Sequence, residues 1–85
     1  MKHEKLIQKI LGGKTDANIE FNDLTNLLVR LGFEMRIKGS HHVFRKVGVS
    51  ELINLQQDGS KAKPYQVKQV RKIITKYKFG GQDNV

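Results

Sequence analysis

Phe33-Glu34-Met35-Arg36-Ile37-Lys38-Gly39-Ser40-His41-His42-Val43-Phe44-Arg45-Lys46 alternates apolar and charged side chains up to a Gly-Ser pair, then runs on as a second extended stretch. A repeat of two residues is the signature of a half-buried strand, so Phe33, Met35 and Ile37 are expected to face a core while Glu34, Arg36 and Lys38 face water. Gly39-Ser40 suits a two-residue type II′ loop, whose first position needs the positive φ that glycine adopts freely. The stretch therefore reads as a basic hairpin returning from His41 to about Val47, where Gly48 ends it. Because neighbouring strand residues face opposite sides, an exposed His41 sends His42 toward the core layer with Phe44, held there by a hydrogen bond.

Outward from the hairpin, the period changes. Upstream, Leu24, Leu27, Leu28 and Leu31 fall along one helical face, with Asn22 as the candidate cap and Asp23 in the first turn. Gly32 suits the left-handed position after that helix, with Phe33 packing back on Leu28. Further upstream, Leu6, Ile7, Ile10 and Leu11 predict a short helix that stops at Gly12-Gly13, and residues 14–20 read as an aperiodic connector. Downstream, Glu51 to Gln56 reads as a third strand and Asp58-Gly59-Ser60 as a turn. Pro64 suits the first position of a final helix with Val67, Val70, Ile74 and Tyr77 on its inner side. At roughly 100° per residue, Lys68, Lys72 and Lys76 make a basic stripe opposite, with Arg71 on its flank. Gly80-Gly81 is expected to end that helix, and the tail beyond it to be mobile.

The order predicts an α+β fold in two layers: a helix, a three-stranded antiparallel sheet and a helix, with an extra short helix at the N-terminus. Proteins that bind double-stranded RNA share this order, which by itself licenses no function. The expected organisation is an N-terminal helix and connector at 1–20, one double-stranded-RNA-binding-like unit at 21–79, and a flexible tail at 80–85.

The sequence has 85 residues, a formal net charge of +8 and a pI of about 10.0, which points to a polyanionic partner, nucleic acid first. A chain this short buries only roughly 60 to 65% of its unfolded surface, so chemistry is expected on an open face rather than in a deep cavity. With no cysteine, disulfides, thiolate metal sites and thiol nucleophiles are excluded. Neither a signal peptide nor a spanning segment is visible, and a cytoplasmic protein that does not engage membranes is expected. No His-x₃-His pair, acidic cluster or Walker-type glycine loop occurs, so a metal-dependent hydrolase and a nucleotide hydrolase are disfavoured, and no cofactor is expected.

Leu31-Gly32-Phe33, a basic strand, Gly39-Ser40-His41-His42 and Phe44-Arg45 together resemble the HicA toxin family of small bacterial messenger-RNA interferases. The resemblance covers roughly residues 21–77. It implies a metal-independent endoribonuclease, neutralised by a HicB-type antitoxin protein, in which the histidine after Gly-Ser, here His41, is catalytic. The chain departs from compact members in its first twenty or so residues and in the stretch from Gln56 to Tyr65.

The residues allow such chemistry on their own terms. Metal-free RNA cleavage needs a base for the 2′-hydroxyl, stabilisation of charge at phosphorus, and a proton for the leaving oxygen. A neutral His41 can be the base. Arg36, Lys38, Ser40 and Arg45 on the hairpin are candidates for holding phosphate, as are Lys61 and Lys63 before the last helix and Lys68, Arg71 and Lys72 upon it. His42 and Tyr65 are secondary candidates, and the general acid is not identified. His3 reads as an exposed bystander. Two other readings stay open: a non-catalytic RNA-binding module using the hairpin and basic helix, and a basic subunit of a protein complex with no RNA role.

Overall fold

Leu24, Leu27 and Leu28 sit three and four residues apart, so a helix places them on one side, and all three are fully buried in α2 (Phe21–Arg30). The computed structural model describes residues 2–79. Around α2 stand α1 (Lys2–Gly12), a 3₁₀ turn (Asp16–Asn18), β1 (Glu34–Lys38), β2 (His41–Lys46), β3 (Val49–Asp58), β4 (Lys61–Ala62) and α3 (Pro64–Lys76). The strands form one antiparallel sheet in the order β1-β2-β3-β4. The architecture is α+β, with three α-helices and four strands among the described residues. The side chain of His3 and the expected tail at 80–85 lie outside the described residues.

The helices supply one side of the core and the sheet the other. Ile7 and Ile10 of α1, the α2 leucines, Phe44, Ile53, Leu55, and Val67, Val70, Ile73 and Ile74 of α3 belong to a single buried cluster. Phe44, Ile53 and Leu55 share one face of the sheet, because Phe44 is directly opposite Ile53 and alternate residues of a strand face the same way. Truncating Phe44 would cost about 3–5 kcal/mol.

Gly39 has φ 59° and Ser40 does not enter the positive region, as a type II′ loop requires. Gly32 has φ 101°, and the Phe33 amide donates to the Leu28 carbonyl at 3.0 Å, the expected left-handed helix ending. Pro64 does occupy the start of α3.

Several expectations are corrected. The cap of α2 is Glu20, not Asn22, because the Phe21 amide is pinned to the Ser60 carbonyl at 2.9 Å and brings Phe21 inside the helix. The sheet has a fourth strand, two residues long. It lies beside Ile19–Phe21: the Ala62 amide donates to the Ile19 carbonyl at 2.9 Å, and Glu20 bridges Lys61. Residues 14–20 are thus a built segment with a 3₁₀ turn and a buried Ile19. The third strand is longer than 51–56, since the Val47-Gly48 turn folds it back at once and Lys46 pairs with Val49. α3 ends at Lys76 rather than at Gly80-Gly81, with Lys78 at φ 59° and the Phe79 amide donating to the Ile74 carbonyl at 2.9 Å.

The largest correction concerns β1. Phe33 is buried, but Met35 is 40% and Ile37 60% exposed. Their side chains do share the face of Phe44 and His42, their direct cross-strand neighbours. β1 is the sheet's edge, however, and the helical layer does not extend over it. No helix among the described residues is long and apolar enough to cross a membrane.

Candidate nucleic-acid interface

Register decides which side chains share the uncovered face of the sheet. Directly opposite residues of antiparallel strands face the same way, and His41 stands opposite both Lys38 and Gln56. One row across the sheet is therefore Lys38, His41, Gln56. The next is Arg36, Val43, Asn54, and beyond it Glu34 faces Arg45. Strands lie about 4.8 Å apart, so Lys38 is the direct cross-strand neighbour of the imidazole and Arg36 its diagonal one.

His41 is exposed, and its Nδ1 lies 3.1 Å from Oδ1 of Asn54, diagonally across β2 and β3. An amide oxygen only accepts, so this bond selects the tautomer in which Nδ1–H donates and Nε2 keeps its lone pair. The ring is oriented with its basic nitrogen available. A second chain of contacts runs along the hairpin end: Lys63 Nζ donates to Gln56 Oε1 at 3.3 Å, and Gln56 Nε2 donates to Ser40 Oγ at 3.2 Å. Lys63 thereby reaches the row that contains His41.

His42 faces the helical layer, as expected from strand alternation, and meets the edge of Phe21 with centroids 4.9 Å apart. The anticipated hydrogen bond is absent at its Nδ1, which is buried and without a partner among the described residues. It stands on the opposite side of the sheet from the Lys38, His41, Gln56 row.

The other sequence candidates divide by element. Arg36 and Lys38 are exposed and hold no ion pair among the described residues, whereas Arg45 lies 3.6 Å from Glu34. Lys61 is paired with Glu20. Arg71 is not a free cation: its fork spans both oxygens of Asp16 at 2.8 and 3.1 Å and also reaches the Ile10 carbonyl at 3.1 Å. That partnership raises its pKa further above its ordinary value. Tyr65, Lys68 and Lys72 are exposed on the outward side of α3, and none of them has a contact with His41 or its row among the described residues. Lys76 of the predicted stripe is tied to Glu51 at 2.8 Å.

Glu51 accepts from Lys76 and from the Tyr77 hydroxyl, at 2.8 and 2.6 Å, and these contacts hold its carboxyl down to about 2. This cluster clips the end of α3 to β3. An open groove of about 890 Å³ between α1 and α2 is floored by Leu6, Val29 and Met35. It lies on the helical side and contains none of the His41 neighbours. No group of three or more His, Asp or Glu side chains placed to hold a metal ion occurs among the described residues.

Asn54 and Gln56 escaped sequence reasoning. Both are ordinary polar strand residues until the β2/β3 register places them beside His41. No protein family, curated protein or solved structure matches this chain.

Proposed function

We propose that the chain is a metal-independent endoribonuclease of the HicA toxin type, an interferase of messenger RNA held inactive by a HicB-type antitoxin. A single observation carries the reading: an exposed imidazole, oriented through Nδ1 by Asn54 and leaving Nε2 free, beside two cations with no ion pair among the described residues, on an open sheet face. The two-layer arrangement of α2, the antiparallel strands and α3 supports a double-stranded-RNA-binding-like fold as its frame.

In this reading Arg36 and Lys38 hold the phosphate by charge-assisted bonds. His41 Nε2 takes the 2′-hydroxyl proton, the 2′-oxygen attacks phosphorus as the bond to the 5′-oxygen breaks, and that oxygen takes a proton from water on the open face, leaving a 2′,3′-cyclic phosphate. Asn54 is a positioning residue. Antitoxin carboxylates among Arg36, Lys38 and Arg45 would occupy the phosphate's place.

The test is His41→Ala, measured for cleavage and for RNA affinity in EDTA. Cleavage should fall about 10²–10⁴-fold with affinity retained, and the wild-type products should carry cyclic phosphate termini. Cleavage at the wild-type rate by the variant, or 5′-phosphate products, would overturn the proposal. A protein that binds RNA with steep salt dependence yet never cuts it would instead be the non-catalytic binding module.

A further inference from the structure

The two edges of the sheet are treated differently by the fold. β4 is so short that it covers only Gln57 and Asp58 of β3. Elsewhere along that edge side chains reach part of the main chain: Gln66 accepts from the Gln56 amide at 3.0 Å, Gln69 donates to the Leu52 carbonyl at 3.3 Å, and Tyr77 accepts from the Ser50 amide at 3.3 Å. Ser50, Leu52 and Gln56 lie on the same outward-bonding side of β3, so α3 takes part of a strand's place there. β4 itself is flanked by Ile19–Phe21. That side of the sheet is occupied.

The β1 side is open. A two-residue loop is closed by a pair that exchanges both main-chain bonds, here Lys38 with His41, so Lys38, Arg36 and Glu34 bond inward to β2. The amides and carbonyls of Met35 and Ile37 point outward, and no group among the described residues bonds to them. Beside them, Met35, Ile37 and Val29 are 40, 60 and 49% exposed. β1 contains no proline and no bulge; the charges that usually blunt an edge are present as Glu34, Arg36 and Lys38, and both signs occur among them, so a partner of complementary pattern can still pair with it.

We infer that this edge pairs with β1 of a second copy of the chain, antiparallel about a two-fold axis at Arg36, giving a continuous sheet of eight strands. The register follows from the strand's own sequence. Outward-bonding residues must meet outward-bonding residues, and centring on Arg36 sets Met35 against Ile37 of the second copy and Ile37 against its Met35. The same register sets Glu34 against Lys38 twice, so two opposite-charge pairs flank the axis. Shifting it by two residues toward the hairpin turn sets Arg36 against Lys38, which charge disfavours; shifting it by two the other way sets Glu34 against Arg36 but carries Ile37 and Lys38 past the start of the other copy's strand at Glu34, so only the register centred on Arg36 pairs all five residues. The like pair at the axis, Arg36 with Arg36, is exposed to solvent on the open face. The pairing covers the apolar side chains that the helical layer leaves bare and places both His41 residues on the same side of one sheet. It stands independently of the nuclease reading, since association and not cleavage is measured.

The two copies each carry +8, so association is measured by sedimentation at about 0.15 M salt or above, where repulsion is screened beyond roughly 8 Å. Wild type should dimerise reversibly below about 0.5 mM. Glu34→Lys or Lys38→Glu alone should weaken the dimer about tenfold or more by turning both attractive pairs repulsive, and the double exchange should restore it to within about threefold. Covalent trapping checks the register without relying on affinity. In the cysteine-free chain, Arg36→Cys should oxidise to a disulfide dimer, since directly opposed residues of this pair type lie about 4.5 Å apart. Ile37→Cys should not, because it faces Met35 of the other copy rather than itself. A monomer throughout the concentration range, no recovery in the double exchange, or equal cross-linking of Ile37→Cys would overturn the inference.

Discussion

Asn54→Ala isolates the orientation of the imidazole from its presence. The main chain of Asn54 stays in register opposite Val43 and its side chain lies on the open face, so the substitution leaves the ladder and the core intact. What is lost is one hydrogen bond, 3.1 Å from Oδ1 to His41 Nδ1. A side-chain hydrogen bond of this kind contributes about 0.5–1.5 kcal/mol. If that energy serves to hold the ring with Nε2 toward the sugar hydroxyl, cleavage should slow about 2- to 13-fold. That loss is well short of the effect of removing the imidazole, and RNA affinity should not change, because Arg36 and Lys38 are untouched. Single-turnover cleavage gives the rate, and long-range ¹⁵N correlation spectra of the ring give the tautomer, which should shift away from the Nδ1–H form. A variant that cleaves at the wild-type rate with an unchanged tautomer would refute the positioning role. A loss equal to that of His41→Ala in a folded protein would refute it in the other direction, since Asn54 would then act on the RNA itself.

Two further outcomes follow from the ion pairs. Arg71→Lys keeps a charge but loses the fork that spans Asp16, so urea unfolding should show a loss of about 1.5–3 kcal/mol, while RNA affinity of the folded variant stays at the wild-type level; weakened binding without destabilisation would contradict the structural role. Glu51 has a folded pKa near 2, below its ordinary 4.5, so its contribution is complete above 4.5 and is lost as pH falls toward 2. Glu51→Gln should therefore flatten the acid limb of a melting-temperature profile in that window, and an unaltered limb would exclude the pairing with Lys76 and Tyr77 as its cause.

Features fixed by neighbours in sequence were legible and features fixed by neighbours in space were not. The α2 leucines, the Gly32 ending and the Gly39-Ser40 loop follow from periodicity and from φ, which act over a few residues. The helix at Pro64 follows likewise. Met35 and Ile37 have the alternation of a covered strand, yet whether a strand is covered depends on its place in the sheet, which alternation does not encode. β4 has two residues and no period to detect. Arg71 falls on a basic flank in the sequence because its partner, Asp16, lies 55 residues away. The same limit hid Asn54: His41 was identifiable from its turn, but its orienting residue needed the β2/β3 register. Lys78 takes a left-handed conformation usually assigned to glycine, which is why Gly80-Gly81 was the natural place to end α3.

The carboxylates that form ion pairs sort the cations into two sets. Asp16 holds Arg71 of α3, Glu20 holds Lys61 of β4, Glu51 holds Lys76 at the end of α3 and Glu34 holds Arg45 across the hairpin, so these four cations join elements of the fold to one another. Arg36 and Lys38 have no such partner among the described residues, and they project from a strand rather than a loop. A polyanion approaching them displaces only water and counterions, with no internal salt bridge to break. Their spacing from His41 is set by the ladder of a paired hairpin, which resists displacement better than a mobile loop does. The hairpin's outer face can stay uncovered because α3 meets part of the need of the opposite edge, its glutamines bonding the β3 main chain where β4 falls short. Serving that edge with side chains leaves the second layer on one side of the sheet only, and the charge without internal partners then lies beside the oriented imidazole.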